Sequence, residues 1–380
     1  MSARWCLVGP THPYRGGIPR HTTLMAEAIA TRGADLSVMT FTRQYPAWLY
    51  KGASDKDSDQ LAPVGFVPDH RLDSIGPRSW RSAARAIATL RPDVLIAVWW
   101  HPFFSPMYAT LLRQVRRKSP STVRVALCHN VLPHETSRVD RALVRAALGP
   151  VDGLVVHAAS QRDVADRLFP STPVLVTPHP TYAVDIDRPG GRATTDTTNL
   201  LYFGLVRRYK GVDVLLRALP AVARARDVRL VVAGEFWDPV SDYTALIDEL
   251  SIGGHVDLRP GYVPEADLMK LLGEADLVVA PYRAATQSGA VELAFGAGLP
   301  VVASRVGGLA DQVEHGVNGL LVPPDDPEAL ASAVIEASRP TTLDELSRHA
   351  RADESTRTWD GLVDDVEGFV QTLRDARRAT

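Results

Sequence analysis

The sequence has 380 residues, 45% hydrophobic and 23% charged, a balance that fits two globular domains and excludes a disordered or fibrous chain. No apolar run reaches the roughly 18 residues of a membrane-spanning helix; the best, 94–100, is cut by His101. The net charge of −2 hides a split. Residues 1–190 carry 23 Lys+Arg against 15 Asp+Glu, and residues 191–380 carry 19 against 29. The cations are spread over several segments rather than gathered with aromatics, which argues against nucleic acid and leaves the first half suited to some other anionic partner.

Taken in order, strand-length apolar runs alternate with helix-length amphipathic segments. Strands are predicted over 4–9, 35–41, 93–99, 123–129, 153–157 and 174–177, and helices over 19–31, 79–90, 105–118, 138–148 and 160–169. The opening segment is too short for a signal peptide and reads as the first strand. Cys6 and Cys128 lie inside apolar segments, as reduced buried thiols do, so a cytoplasmic protein is expected. Residues 42–77 interrupt the pattern with Pro, Gly and Asp55-Lys56-Asp57-Ser58-Asp59, and read as a solvated surface excursion rather than a metal motif. Residues 185–199, rich in Pro, Gly, Thr and Asp, read as a linker. The alternation then restarts, with strands over 200–204, 228–234, 256–259, 277–281, 301–303 and 319–322 and a helix over 212–225. The last helical pattern, 355–378, is expected to return to the first domain. The fold class is therefore α/β, with two doubly wound Rossmann-like domains, 1–188 with 356–380 and 199–355, facing a cleft at their strand ends.

Candidate chemistry gathers at predicted strand ends. Gly16 and Gly17 precede a helix, where they let backbone amides approach an anion or simply make a tight turn; their spacing is not that of a dinucleotide fingerprint. His129 and Asn130 end a central strand, followed by His134 and Glu135. A histidine there bonds substrate hydroxyls or serves structure; zinc is disfavoured for lack of a third soft ligand. Trp99 and Trp100 end another strand and form either an acceptor wall or core. Gly204, Arg207, Arg208 and Lys210 stand between a strand and a helix, and cations at a helix N-terminus are unfavourable unless an anion arrives, so this loop reads as a diphosphate site. Gln287, Ser288 and Gly289 open a second anion-binding helix N-terminus, and Glu292, one turn in, is placed to accept bonds from ribose or sugar hydroxyls. Arg113, Arg116, Arg117 and Lys118 on one helix and Arg78, Arg81 and Arg85 on another offer a peripheral contact with an anionic membrane, or a plain solvated face.

In this order and spacing, the motifs are specific. Gly16-Gly17-x3-His21, Cys128-His129-Asn130, Phe203-Gly204-x5-Lys210-Gly211, Pro260-Gly261-Tyr262-Val263-Pro264, Gly298-Leu299-Pro300 and Gly316-Val317-Asn318-Gly319 run through nearly the whole chain. With them the sequence resembles the retaining GT-B glycosyltransferases of the group 1, family 4 type. The resemblance implies a nucleotide-diphosphate sugar as co-substrate on the second domain, an acceptor (glycan, lipid carrier or small molecule) on the first, and neither metal nor other cofactor. It places Arg207 and Lys210 as the diphosphate clamp and His129 at the donor sugar. Gly16 and Gly17 would lie beneath the diphosphate, with Gln287, Ser288 and Gly289 against phosphate or sugar, and Tyr262 and Val263 reading the base. His21, Asn130, Trp99 and Trp100 are left for the acceptor. Two positions depart from the common pattern. Leu205 stands where many members have a cation, and Ala285 and Leu293 occupy the places of a frequent glutamate pair, with Glu292 displaced by one. That missing pair motivates the alternative of a non-catalytic sugar-nucleotide scaffold or regulator. An epimerase is disfavoured for want of paired carboxylates.

Overall fold

A computed structural model describes residues 3–379 except 47, 50–53, 57–62, 134–136, 183, 185 and 187–196. Asp57 and Asp59 of the acidic run, His134, Glu135 and most of the expected linker lie outside the described residues. The chain divides into two compact units, Met1–His179 with Trp359–Thr380, and Pro180–Thr358.

The first unit is built on seven parallel strands: β1 (Arg4–Val8), β2 (Asp35–Arg43), β3 (Asp69–Asp73), β4 (Val94–Trp99), β5 (Val123–Cys128), β6 (Gly153–Val156) and β7 (Val174–Val176), in the order β3-β2-β1-β4-β5-β6-β7. Every residue of β4, β5 and β6 is buried, which is why these strands read as unbroken apolar runs rather than alternating ones. The helices obey ordinary local rules. Pro77–Leu90 starts on a proline and buries Trp80, Ala83, Ala84 and Ile87 at helical spacing. Arg138–Leu148 starts from a capping box between Ser137 and Asp140. Cys6 and Cys128 are free and buried.

Two expectations for this unit are corrected. The excursion 42–77 contains β3, an edge strand pairing Met39 with Asp69; its sequence, Asp-His-Arg-Leu-Asp, holds one apolar side chain and so gives no periodic signal. The C-terminal pattern is two helices, Pro340–Thr356 and Trp359–Ala379. The second belongs to this unit, burying Leu362, Val363, Val366, Val370 and Leu373 in its core. The first belongs to the other unit, where the Arg357 carbonyl just past its end accepts the Thr181 amide (2.9 Å), which fixes the chain at the break.

The second unit carries six parallel strands: β8 (Thr198–Phe203), β9 (Val228–Gly234), β10 (Val256–Pro260), β11 (Leu277–Ala280), β12 (Val301–Ser304) and β13 (Gly319–Val322), in the order β10-β9-β8-β11-β12-β13. In both sheets the strand order turns back between the first and fourth strands in sequence. Beside β8 and β11 the loops leaving the strand tips diverge to opposite sides, and the gap between them is where open parallel sheets take a ligand.

Candidate functional site

In the second unit, both loops at that switch point carry the expected residues. After β8, Gly204 is exposed and the chain makes a single 3-10 turn, Arg208–Lys210, closed by the Lys210 amide to the Arg207 carbonyl (2.8 Å). Gly211 then enters the helix Val212–Ala225 at φ 69°, so close to β11 that a Cβ would lie 1.9 Å from the Pro281 carbonyl oxygen. Only glycine permits that approach, and it sets Lys210 against the next loop. The Lys210 ammonium sits 3.7 Å over the Tyr282 ring, and the Arg207 guanidinium 4.6 Å over the Trp237 ring. Neither cation has a carboxylate partner among the described residues. The aromatic faces hold both groups in place without neutralising them, so their charge is left for an anion.

A third basic residue, Arg283, holds the loop from behind. It donates to Asp213 (2.7 and 2.8 Å), to Asp325 (2.9 Å) and to the Arg208 carbonyl (2.7 Å), and its own amide donates to the Tyr209 carbonyl (2.7 Å). Burial works against the Asp213 charge, but Arg283 prevails and holds that carboxyl below its usual range. Tyr282, Trp237 and Arg283 were missed in the sequence. Tyr282 and Arg283 follow directly on the β11 tip, but nothing in one dimension shows them meeting residues 207–213.

After β11, Ser288 caps the helix Gly289–Gly296 by accepting the Val291 amide (3.4 Å), and its hydroxyl lies 3.2 Å from the Tyr282 hydroxyl. Gly289 and Ala290, in the first turn, have no intrahelical acceptor for their amides. The Gln287 Nε2 has no partner among the described residues. Glu292 corrects the expectation of an open carboxylate: its side chain is fully buried. It is ion-paired with Arg357 and accepts from Gln312 Nε2 (2.7 Å), while the Gln312 Oε1 accepts the Ser288 amide (2.9 Å). The helix turns Glu292 inward, and a buried carboxylate persists only when it is paired. Through Gln312 it is linked to the Ser288 cap. Tyr262 is exposed and Val263 half-buried in the loop after β10, beside Gly261.

The first unit is different. Gly16 caps the helix Gly17–Thr31 at φ 106°, and a Cβ on either Gly16 or Gly17 would meet nothing within 4 Å, so the side of this turn is open. His21, one turn in, is fully buried. Its ring lies 4.7 Å from that of His129, 5.1 Å from His157, 4.9 Å from His179 and 4.9 Å from Trp359. Burial pushes His129 down to about 3 and His21 well below its ordinary value, in both cases reinforced by neighbouring imidazoles; it pushes His157 down to about 4 against the opposing pull of backbone carbonyl acceptors, so all three are neutral near pH 7. The His157 Nδ1 lies 3.1 Å from the Thr177 carbonyl, which can only accept, so the proton is on Nδ1 and Nε2 carries the lone pair. The Nε2 atoms of His129 and His157 and both ring nitrogens of His21 have no partner among the described residues. His157 and His179 were not singled out, although His157 directly follows β6 as His129 follows β5. Asn130 is half-buried. No group of three or more His, Cys, Asp or Glu among the described residues is arranged to hold a metal ion.

The aromatic wall is also corrected. Trp99 is wholly buried with its Nε1 donating to the Val131 carbonyl (3.3 Å), and Trp100 donates to the Tyr45 hydroxyl (2.9 Å) while packing on Phe104. Both belong to the core because β4 is central and covered on both faces. His21, fully buried, likewise presents no surface to an acceptor.

Two sheets with switch-point loops, one bearing uncompensated cations, define a doubly wound nucleotide-binding class of fold. The family models agree. "Glycosyltransferase Family 4" matches residues 15–188 and "Glycosyl transferases group 1" matches residues 197–339. The chain belongs to the group 1, family 4 glycosyltransferases, with the GT-B fold. It is similar to D-inositol 3-phosphate glycosyltransferase 1 of Catenulispora acidiphila, 35% identical over 225 residues, 54% of each chain. The chain spans about half the length of such curated relatives. Among solved structures, sucrose-phosphate synthase of Thermosynechococcus elongatus superposes with a TM-score of 0.70 at 19% identity, covering 99% of this chain and 100% of that one. HepE of Anabaena in complex with UDP gives 0.71 at 18% identity, covering 98% and 100%.

Proposed function

We propose that the protein transfers a sugar from a nucleotide-diphosphate donor, bound by the second unit, to an acceptor taken by the first. The observation that carries this reading is the pair Lys210 and Arg207, fixed over aromatic rings at the sheet's switch point with no carboxylate partner among the described residues. Similar folds hold UDP and UDP-glucose, which supports a UDP-sugar as the first donor to try. As the bond between the sugar carbon and the diphosphate oxygen breaks, negative charge grows on the leaving group. Arg207, Lys210 and the helix terminus at Gly289 stabilise it. The acceptor oxygen attacks from the face the diphosphate leaves, giving retention without a protein nucleophile, and its proton passes to the departing diphosphate. Neutral His129 bonds a sugar hydroxyl, Gly16 and Gly17 back the diphosphate, and Tyr262 and Val263 read the base. The clamp supplies the charge that other enzymes draw from a metal, so activity persists in a chelator.

The test is thermal unfolding against a panel of nucleoside diphosphates. A ligand at about 100 times its dissociation constant adds roughly 2.7 kcal/mol, and Arg207→Ala removes the shift. If no diphosphate shifts the midpoint, the donor site is not where we place it. Diphosphate binding without donor hydrolysis would favour the scaffold, and inversion at the anomeric carbon, read by NMR, would sink the stereochemical part.

A further inference from the structure

We propose that one helical layer of the first unit is a docking surface for an anionic lipid bilayer. The helices Pro77–Leu90, Ser105–Lys118 and Arg138–Leu148 pack side by side. The first presents Arg78, Arg81 and Arg85 as one exposed stripe, and the third repeats the spacing with Arg138, Arg141 and Arg145. Between them the middle helix exposes Arg113 and, in its last turn, Arg116, Arg117 and Lys118. Asp140 is the sole carboxylate on these three helices, and the Ser137 cap occupies it. None of these cations has an ion pair among the described residues. An ordinary solvated face mixes both signs; this one does not.

The second observation is apolar. Each helix begins beside an exposed or half-exposed hydrophobic side chain: Ile75 before the first, Phe103 before the middle one, and Val139, 66% exposed, in the first turn of the third. Trp48, 75% exposed, stands with its ring centre 6.5 Å from that of Phe103. Apolar side chains at one end and cations along the faces match a bilayer, whose acyl boundary takes the first and whose anionic headgroups take the second. Single-stranded nucleic acid would reward aromatics set among the cations, which is not the arrangement here. Helices that follow parallel strands start at the strands' C-terminal ends, so docking brings the tip of β5, with His129, to the lipid interface. The surface stands independently of the donor chemistry.

The experiment is vesicle flotation of the full chain at low salt, with phosphatidylcholine alone and with added phosphatidylglycerol. Binding is expected only with the anionic lipid and is lost as salt rises. The triple variant Arg78→Glu, Arg81→Glu, Arg85→Glu should lower the partition coefficient on the order of a hundredfold, about fivefold per cation. Reversal of Arg138, Arg141 and Arg145 on a separate helix should do the same, and Trp48→Ser should weaken binding further. Diphosphate-induced thermal shifts should persist in every variant, showing that the fold and donor site survive. No binding to the anionic vesicles, binding that ignores both reversals, or tighter retention on single-stranded RNA at the same salt would overturn the proposal.

Discussion

The two units share one sheet design and use opposite chemistry at its edge. The second leaves Arg207 and Lys210 without a carboxylate partner among the described residues, in half-exposed loops whose geometry is set by Arg283, Tyr282 and Trp237. The first packs His21 against His129, His157 and His179, and burial keeps His21, His129 and His157 neutral. A site that must balance a diphosphate needs full charges held in advance. One that meets hydroxyls needs neutral donors and acceptors, and burial makes imidazoles neutral. The difference also divides how each unit should fail.

The largest expected effect is acid lability of the first unit. Because His129, His157 and His21 have depressed values in the fold, the unfolded chain binds more protons below about 6.5, the ordinary value. Stability is full above that pH and falls as pH drops toward 4, by up to about 2 kcal/mol per histidine near pH 5. Hydrogen exchange followed by mass spectrometry should show peptides of the first unit loosening before those of the second. Simultaneous loosening of both would break the comparison.

Glu292→Ala comes next. It strands the Arg357 charge, which is mostly buried, and should cost roughly 3–5 kcal/mol in denaturant melts. Glu292→Gln, which keeps the shape and a hydrogen-bonding oxygen, should cost less. If either variant instead raised the donor KM at unchanged stability, the carboxylate would have to face the sugar after all.

Lys210→Ala should lower turnover by about 3–4 kcal/mol of barrier while leaving the melting temperature within a few degrees. Near-normal turnover would remove Lys210 from the clamp. The smallest effect is expected for Arg283→Met, which should destabilise by about 1.5–3 kcal/mol, the worth of hydrogen bonds involving a charged group. Its turnover should fall because residues 207–211 loosen. Normal kinetics in that variant would mean that Arg207 and Lys210 hold their places alone.

The sequence was most legible where local rules act alone. Buried parallel strands announce themselves as continuous apolar runs, so β4, β5 and β11 are visible at once. Helices with proline starts or Ser and Asp caps are visible too. The strand-end glycines and the cations of residues 207–210 were legible for the same reason: an unfavourable charge at a helix start needs an explanation within a few residues. The edge strand β3, with one apolar side chain, carried no periodic signal. The break at residues 357–358 was hidden because its cause is a contact with Thr181, distant in sequence.

The sequence by itself determined the α/β alternation, the two-domain plan and the loops that carry charge, since each follows from hydrophobic period and local backbone preference. Only the tertiary structure decided which way the polar side chains face. Glu292 and Ser288 share a helix turn, yet Arg357, 65 residues away, draws the carboxylate inward. Trp99 and His21 look like ligand contacts until packing from distant segments covers them, Trp359 and three other imidazoles in the case of His21. Direction and burial depend on what packs against a residue from elsewhere in the chain, and that information is absent from any local stretch of sequence.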